Sequence, residues 1–315
     1  MKRYRSIFCL VLSLVLALLS ACSFSGKAGS STVAEDTITF TDDLDRTVTA
    51  PREPQRVAAL IGSFADVWQL AGGTLAATAN DAWTQFDLNL GENVVNLGAT
   101  TELSLEKLLA AQPDFVIASV NTQIDLDWME TLEAADIPTA YFDVNTFPEY
   151  LRMLEICTTL TGRTDLYQKN GLDIQQQIDT AIARADGSAP TVLYLRATAV
   201  SVKAKSSRDN VLGAMLADLG CQNIADMDQA LLQELSLEHI IASDPDYVFV
   251  VVQGSDPDKV RDNLEITLLN SPAWNGLTAV QEGRIYYLDP KLYNLKPNAR
   301  WGEAYEKLAD ILYPR

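Results

Sequence analysis

The strongest constraint on this chain is an internal repeat. Residues 103–118 read LSLEKLLAAQPDFVIA and residues 235–250 read LSLEHIIASDPDYVFV. The offset is 132 throughout, eight of the sixteen positions are identical, and most others are conservative, as in Leu108/Ile240 and Phe115/Tyr247. A unit that recurs this closely builds the same piece of structure twice. Each copy parses as a short helix followed by a strand. Ser104 and Ser236 are N-cap candidates. Leu105, Leu108 and Leu109, with Leu237, Ile240 and Ile241, give an i, i+3, i+4 apolar face. Pro113 and Pro245 stop the helices. The runs after them are β-rich and do not alternate, as expected of parallel strands buried on both faces.

The flanking sequence repeats the logic. Strands are expected at Arg56–Ile61, Thr139–Asp143, Thr191–Leu195 and Arg284–Leu288. Helices are expected from Phe64 to Leu70, ending at Gly72-Gly73, and from Val211 to Leu219, closed by Gly220. Strands alternating with helical stretches of about 10–15 residues predict an α/β fold of two lobes with mainly parallel sheets. Between them, 147–185 carries regularly spaced Leu and Ile among polar residues and no proline after Pro148. One long linking helix is the natural reading, with Gly162 and Gly171 as its candidate points of interruption. At 1.5 Å per residue it would cover about 50 Å and run along both lobes.

The N-terminus reads as an address. Lys2, Arg3 and Arg5 precede an apolar run from Ile7 to Leu19. This is the layout of a secretory signal, and the run is shorter than the about 20 residues a spanning helix needs. Leu19-Ser20-Ala21-Cys22 resembles a bacterial lipobox, which predicts lipidation at Cys22. The expected division is 1–21 signal peptide, 22–36 flexible Ser/Gly/Ala-rich tether, 37–146 N-terminal lobe, 147–185 linking helix and 186–315 C-terminal lobe. Removing 1–21 leaves 21 basic against 42 acidic residues, a net charge of −21. So acidic a body argues against nucleic-acid binding. Cys157 and Cys221 sit in apolar helical contexts and read as buried free thiols.

At this point the sequence resembles the lipid-anchored substrate-binding proteins of ABC importers. The subclass is the one whose two lobes are joined by a single long helix and whose members bind ferric siderophores, haem or cobalamin. The likeness is carried by Thr39-Phe-Thr-Asp-Asp-Leu-Asp-Arg46, Pro54-Gln-Arg56-Val-Ala, the paired Leu-Ser-Leu-Glu motifs, Asn270-Ser-Pro-Ala-Trp274 and Ala279-Val-Gln-Glu-Gly283-Arg-Ile-Tyr. It covers 37–315. Leu44-Asp45-Arg46 departs from the Gly-Arg pair usual there, which is a turn detail. The resemblance implies a non-enzymatic receptor with no cofactor of its own, the iron arriving inside its chelate. It implies a monomer, held by lipid at the outer face of the cytoplasmic membrane, that docks on a permease dimer with its ATPase. It also implies that Glu106 and Glu238, one per lobe at matching repeat positions, dock into arginine-containing pockets of the permease. A first-turn glutamate also supports its own helix dipole.

The ligand is expected between the lobes at the carboxyl ends of the strands. Arg196, Lys203, Lys205 and Arg208 lie on one stretch with no acid between the first and the last. Lys291, Lys296 and Arg300 follow another strand. In so acidic a chain these clusters predict an anionic ligand, for which an iron chelate is the leading candidate. Trp83, Phe86 and Tyr293 are candidates for flat apolar contacts. His239 is the only histidine. It follows Glu238 on the presumed docking helix, away from the cleft, which lowers the case for haem. A corrinoid receptor is the runner-up. Rivals of other classes are an exported hydrolase and a structural lipoprotein. The hydrolase lacks a G-x-S-x-G elbow and an H-E-x-x-H motif.

Overall fold

The computed structural model describes residues 37–315 apart from Asp209 and Ser255. The signal, Cys22 and the tether lie outside the described residues. Strands β1 (Thr37–Thr41) and β2 (Thr47–Pro51) open the described chain as an antiparallel ribbon. Asp42 holds the turn between them, accepting from the backbone N–H of Leu44 and Arg46 at 3.0 Å and from the Arg46 guanidinium. Asp45 sits at φ +58. This is the left-handed region that glycine enters freely and Asp tolerates better than most residues, which explains the missing Gly-Arg pair.

The first lobe is a five-stranded parallel sheet. Its strands are β3 (Val57–Ala59), β4 (Leu75–Thr78), β5 (Val95–Asn96), β8 (Phe115–Ser119) and β9 (Thr139–Phe142), in the order β5-β4-β3-β8-β9. A small ribbon, β6 (Gly98–Ala99) with β7 (Glu102–Leu103), leads into the first repeat unit. The second sheet has the order β11-β10-β13-β14, with β12 also on β10. These are β10 (Thr191–Ala197), β11 (Val202–Ala204), β12 (Gln222–Asn223), β13 (Tyr247–Val252) and β14 (Ile285–Leu288). All pairs are parallel except β10 with β11. The repeat survives into register: Phe115 faces Val57, and its mate Tyr247 faces Val192. Every residue of β8 is buried, as its unbroken apolar run requires.

Eight helices matter for the site. In chain order they are α1 (Gly62–Leu70), α2 (Asp81–Thr84), α3 (Leu105–Ala110), α4 (Phe147–Leu160), α5 (Asp173–Ile182), α6 (Val211–Asp218), α7 (Leu237–Ser243) and α8 (Trp301–Leu312). Helices α3 and α7 are the repeat mates. Their caps match: Ser104 Oγ accepts from Lys107 N at 3.3 Å and Ser236 Oγ from His239 N at 3.4 Å. In a parallel unit the helix runs antiparallel to its strand, so both N-termini lie at the carboxyl ends of the strands.

The linking segment is not one helix. A capping box starts α4, with Glu149 Oε2 accepting from Thr146 N at 2.8 Å. The helix stops at Leu160. Thr158 and Thr159 turn their hydroxyls onto the carbonyls of Leu154 and Glu155, Thr161 bonds Ala71 O at 2.6 Å, and Gly162 turns left-handed at φ +68. A helical turn at Thr164–Tyr167 and a π-helical stretch at Gln168–Leu172 then lead into α5. Gly171 lets this stretch lie against α4, because a Cβ there would stand 2.7 Å from Leu151 Cδ1. Helix α4 packs on α1 of the first lobe, and α5 packs along α8.

One hydrophobic cluster joins the two lobes. Phe64, Trp68, Phe115, Tyr150 and Cys157 belong to it, and so do Tyr194, Phe249, Trp301 and Tyr305. Phe147 meets Trp301 edge-on at 6.2 Å. A second cluster fills the far side of the second sheet and a third the far side of the first. Cys157 and Cys221 are unbridged, and burial raises both thiols, Cys221 to about 12. Among the described residues no helix is long and apolar enough to cross a membrane.

Candidate functional site

The carboxyl ends of the two sheets face one another across a cavity of about 500 Å³. That volume falls within the range of about 300–1,000 Å³ usual for ligand sites. Thr84 and Gln85 supply the first-lobe wall from the end of α2. Gln253 and Gly254 follow β13, and Lys291, Asn294 and Leu295 follow β14. The lining mixes the Gln85, Gln253 and Asn294 amides and the Thr84 hydroxyl with Val252, Pro290 and Leu295, and among the described residues Lys291 is its only charged residue. A smaller crevice of about 140 Å³ shares Gln85, Lys291 and Leu295 with it. Asp66, Phe86, Asp87, Lys296 and Arg300 line this second space.

The crevice floor is where the lobes touch. Asn298 is fully buried at φ +52 and donates from Nδ2 to Ser63 O and Asp66 Oδ2, both at 2.8 Å. Burial raises the Asp66 carboxyl, and the Asn298 amide opposes that rise. The Lys296 ammonium lies 5.8 Å from the centre of the Phe64 ring. Desolvation holds it below the usual lysine range, and Asp143 and Glu149 pull it back up. Lys291 Nζ reaches the Asp87 carboxylate of the other lobe at 2.5 Å. Arg300 grips Glu303 through Nε at 2.7 Å and Nη2 at 3.0 Å, which, with Lys307, lowers the Glu303 carboxyl to about 2.

A polar cluster backs the first-lobe wall at the strand ends. The Asp81 carboxylate accepts from Gly62 N at 2.9 and 3.0 Å and so caps α1, which has no side-chain cap of its own. A Cβ on Gly62 would stand 2.5 Å from Ala82 N, so only glycine lets the two helices meet here. Asp125 is fully buried and accepts from Ser119 N at 2.8 Å through Oδ2, while Oδ1 has no partner. Burial first, and the Asp81 charge second, push its carboxyl up to about 7.

The residues singled out from sequence do not form one patch. Phe86, Lys296 and Arg300 meet in the crevice. Tyr293 belongs to the core instead: it is 2% exposed and its hydroxyl donates to Ala304 O at 3.0 Å. Trp83 is half-buried against the same core. The basic stretch expected to be a loop is in large part a hairpin, because β11 folds back on β10. It pairs Arg196 with Lys203 and sends Lys205 N to Tyr194 O at 2.9 Å. Arg208 lies on a separate depression with Cys221 and Met227. The second basic group is largely neutralised by Asp87 and Glu303. Gln85, Gln253 and Asn294 line the cavity as well. Glu106 and Glu238 are exposed, at matching positions in the first turns of α3 and α7. His239 is exposed, with Nδ1 2.5 Å from Asp228 Oδ2. Among the described residues no group of three or more His, Cys, Asp or Glu side chains is placed to hold a metal ion.

Two α/β lobes with facing strand ends, joined through a helical segment and flanking a cavity lined in part by amides, define a two-lobed binding protein. The family model described as periplasmic binding protein matches residues 57–292, and the chain belongs to that family. It is a substrate-binding protein of the ABC-importer type. The chain is 21% identical over 311 residues to YhfQ of Bacillus subtilis (strain 168), named as a candidate ABC transporter substrate-binding lipoprotein, covering 93% of each chain. It is 22% identical over 290 residues to the iron(3+)-hydroxamate-binding protein FhuD of the same organism, covering 88% of each. Among solved structures, Staphylococcus aureus SirA complexed with staphyloferrin B matches with a TM-score of 0.66 at 20% identity, over 88% of this chain and 97% of that one.

Proposed function

We propose that the chain is the receptor of an importer for a ferric siderophore. It captures the chelate outside the cell and hands it to a membrane permease dimer driven by an ATPase. The observation that carries this reading is the cavity of about 500 Å³ at the facing strand ends. It is roomy, and its lining mixes amides and a hydroxyl with apolar side chains, as a site for a small organic ligand does. The name of FhuD, an iron(3+)-hydroxamate-binding protein, supports the choice of cargo by analogy. The iron stays in its chelate, so the protein needs no metal ligands of its own. His239, paired with Asp228, does not favour haem. Export and a lipid on Cys22 complete the proposal.

The test is a titration of the 37–315 fragment with ferric catecholates, ferric hydroxamates, ferric citrate, haem and cobalamin. Tryptophan fluorescence gives binding and thermal shift gives stability. A ligand at 100 times its Kd should add about 2.7 kcal/mol. A response to haem or cobalamin alone would replace the cargo, and silence across the panel would remove it. For docking, Glu106→Ala with Glu238→Ala should abolish uptake by cells while chelate affinity in solution stays within twofold, about 0.4 kcal/mol. Uptake that survives in the double variant would refute the docking role.

A further inference from the structure

Among the described residues Lys291 is the single charge lining the cavity, and it is already engaged. Lys291 Nζ sits 2.5 Å from Asp87 Oδ2, a carboxylate delivered by the opposite lobe from a residue 204 positions away. The two side chains are 45% and 69% exposed, so the pair stands at the open side of the cleft rather than in the core. Lys291 lines both the cavity and the crevice, whereas Asp87 lines only the crevice. The other cations of the crevice are differently placed. Arg300 is spent on Glu303, and Lys296 is held over Phe64. Among the described residues, Lys291 is thus the crevice cation that also lines the cavity.

We infer that Asp87 is a built-in stand-in for an anionic group of the ligand, and that Lys291 exchanges one for the other on binding. This rests on reading the cavity as the chelate site. An exposed ion pair is weak, so a ligand anion can displace it. The hydrogen bond it then makes to Lys291 lies further inside and is stronger for that. The exchange also sets what an anion must overcome. A chelate with a negative charge has to displace Asp87 from Lys291, and a neutral chelate leaves the pair in place. Asp87 is thereby a competitor of anionic ligands alone. The amides of Gln85, Gln253 and Asn294 remain for the uncharged parts of the cargo.

The experiment is a double-mutant cycle on the 37–315 fragment, with two probes: a negatively charged ferric tris-catecholate and a neutral ferric trihydroxamate. Fluorescence titration gives the ratio of the two affinities. Asp87→Asn should raise that ratio in favour of the catecholate by about two- to fivefold, the range expected when an exposed ion pair no longer competes. Lys291→Gln should lower it by about tenfold or more. The double variant should match Lys291→Gln alone, because Asp87 acts only through Lys291. If Asp87→Asn raises the ratio equally in the Lys291→Gln background, Asp87 is merely a distant charge and the exchange is refuted. Catecholate binding by the parent without any gain in Asp87→Asn also refutes it, and leaves the receptor reading intact. If neither probe binds any of the four proteins, the cargo and the exchange fall together. Thermal melts of the variants exclude misfolding, and both sites are exposed.

Discussion

Asp125 carries a carboxylate with one oxygen satisfied and one orphaned in a fully buried site. Its folded-state carboxyl is raised from 3.8 to about 7. The folded chain therefore binds that proton more tightly than the unfolded chain does. Stability from this group is fully present below pH 4 and is lost as pH rises toward 7. Asp125→Asn cannot ionise. In urea melts its stability relative to the parent should climb by a few kcal/mol between pH 4 and 7 and level off above. Parallel pH profiles for the two proteins would show that the carboxyl is not raised. Gly62→Ala is a second test at this scale. With Ala82 N 2.5 Å from the new methyl, the loss should be about 1–3 kcal/mol in thermal denaturation. Side-chain partnerships of this kind were not legible in the sequence. Lys291 and Arg300 look alike as letters, and only the fold shows that one meets Asp87 and the other Glu303. Tyr293 misled for the same reason: an aromatic after a strand can face the cleft or the core, and packing decides.

The helices and strands were far more legible, because they follow from periodicity and caps. β8 and β13 fall where the repeat placed them, and both Ser caps are made. Ser104→Ala or Ser236→Ala should each cost about 1 kcal/mol, measured by chemical denaturation, and the two losses should add because the caps sit in separate lobes. The linking segment shows where periodicity stops being informative. Its apolar spacing continues past Leu160, yet the helix does not. Three threonines close together compete for the backbone carbonyls, and Gly162 accepts the left-handed turn. Only Glu53 Oε1 would meet a Cβ there, at 3.6 Å, so Gly162→Ala tests the backbone rather than packing. It should destabilise by about 1 kcal/mol. A neutral result would mean that the turn relaxes. The basic hairpin was missed because Thr198 and Ser201, which hold its turn at 2.8 Å from N to O, carry no strong turn signature.

At the scale of the whole molecule the two lobes are not independent. The main core runs from Val48 to Tyr313 without a break at the linking helices. Thr37–Arg315 forms one compact unit. It should unfold in one cooperative step, with no state in which one lobe is folded alone. Cys157 reports on this, since it is fully buried with its thiol pushed far up. Its alkylation in denaturant should follow the same curve as tryptophan fluorescence. Labelling at lower denaturant would mean that the lobes separate first.

The C-terminal helix α8 brings Trp301, Tyr305 and Leu308 into a core whose earliest members lie near Val48 and Val57. Residues late in the sequence are thus needed to close what earlier ones began. Until α8 arrives, α5 lacks the surface along which it packs. A chain still being delivered from its N-terminus has an incomplete core and stays open. If the chain is exported as proposed, that order leaves it open while it crosses the membrane.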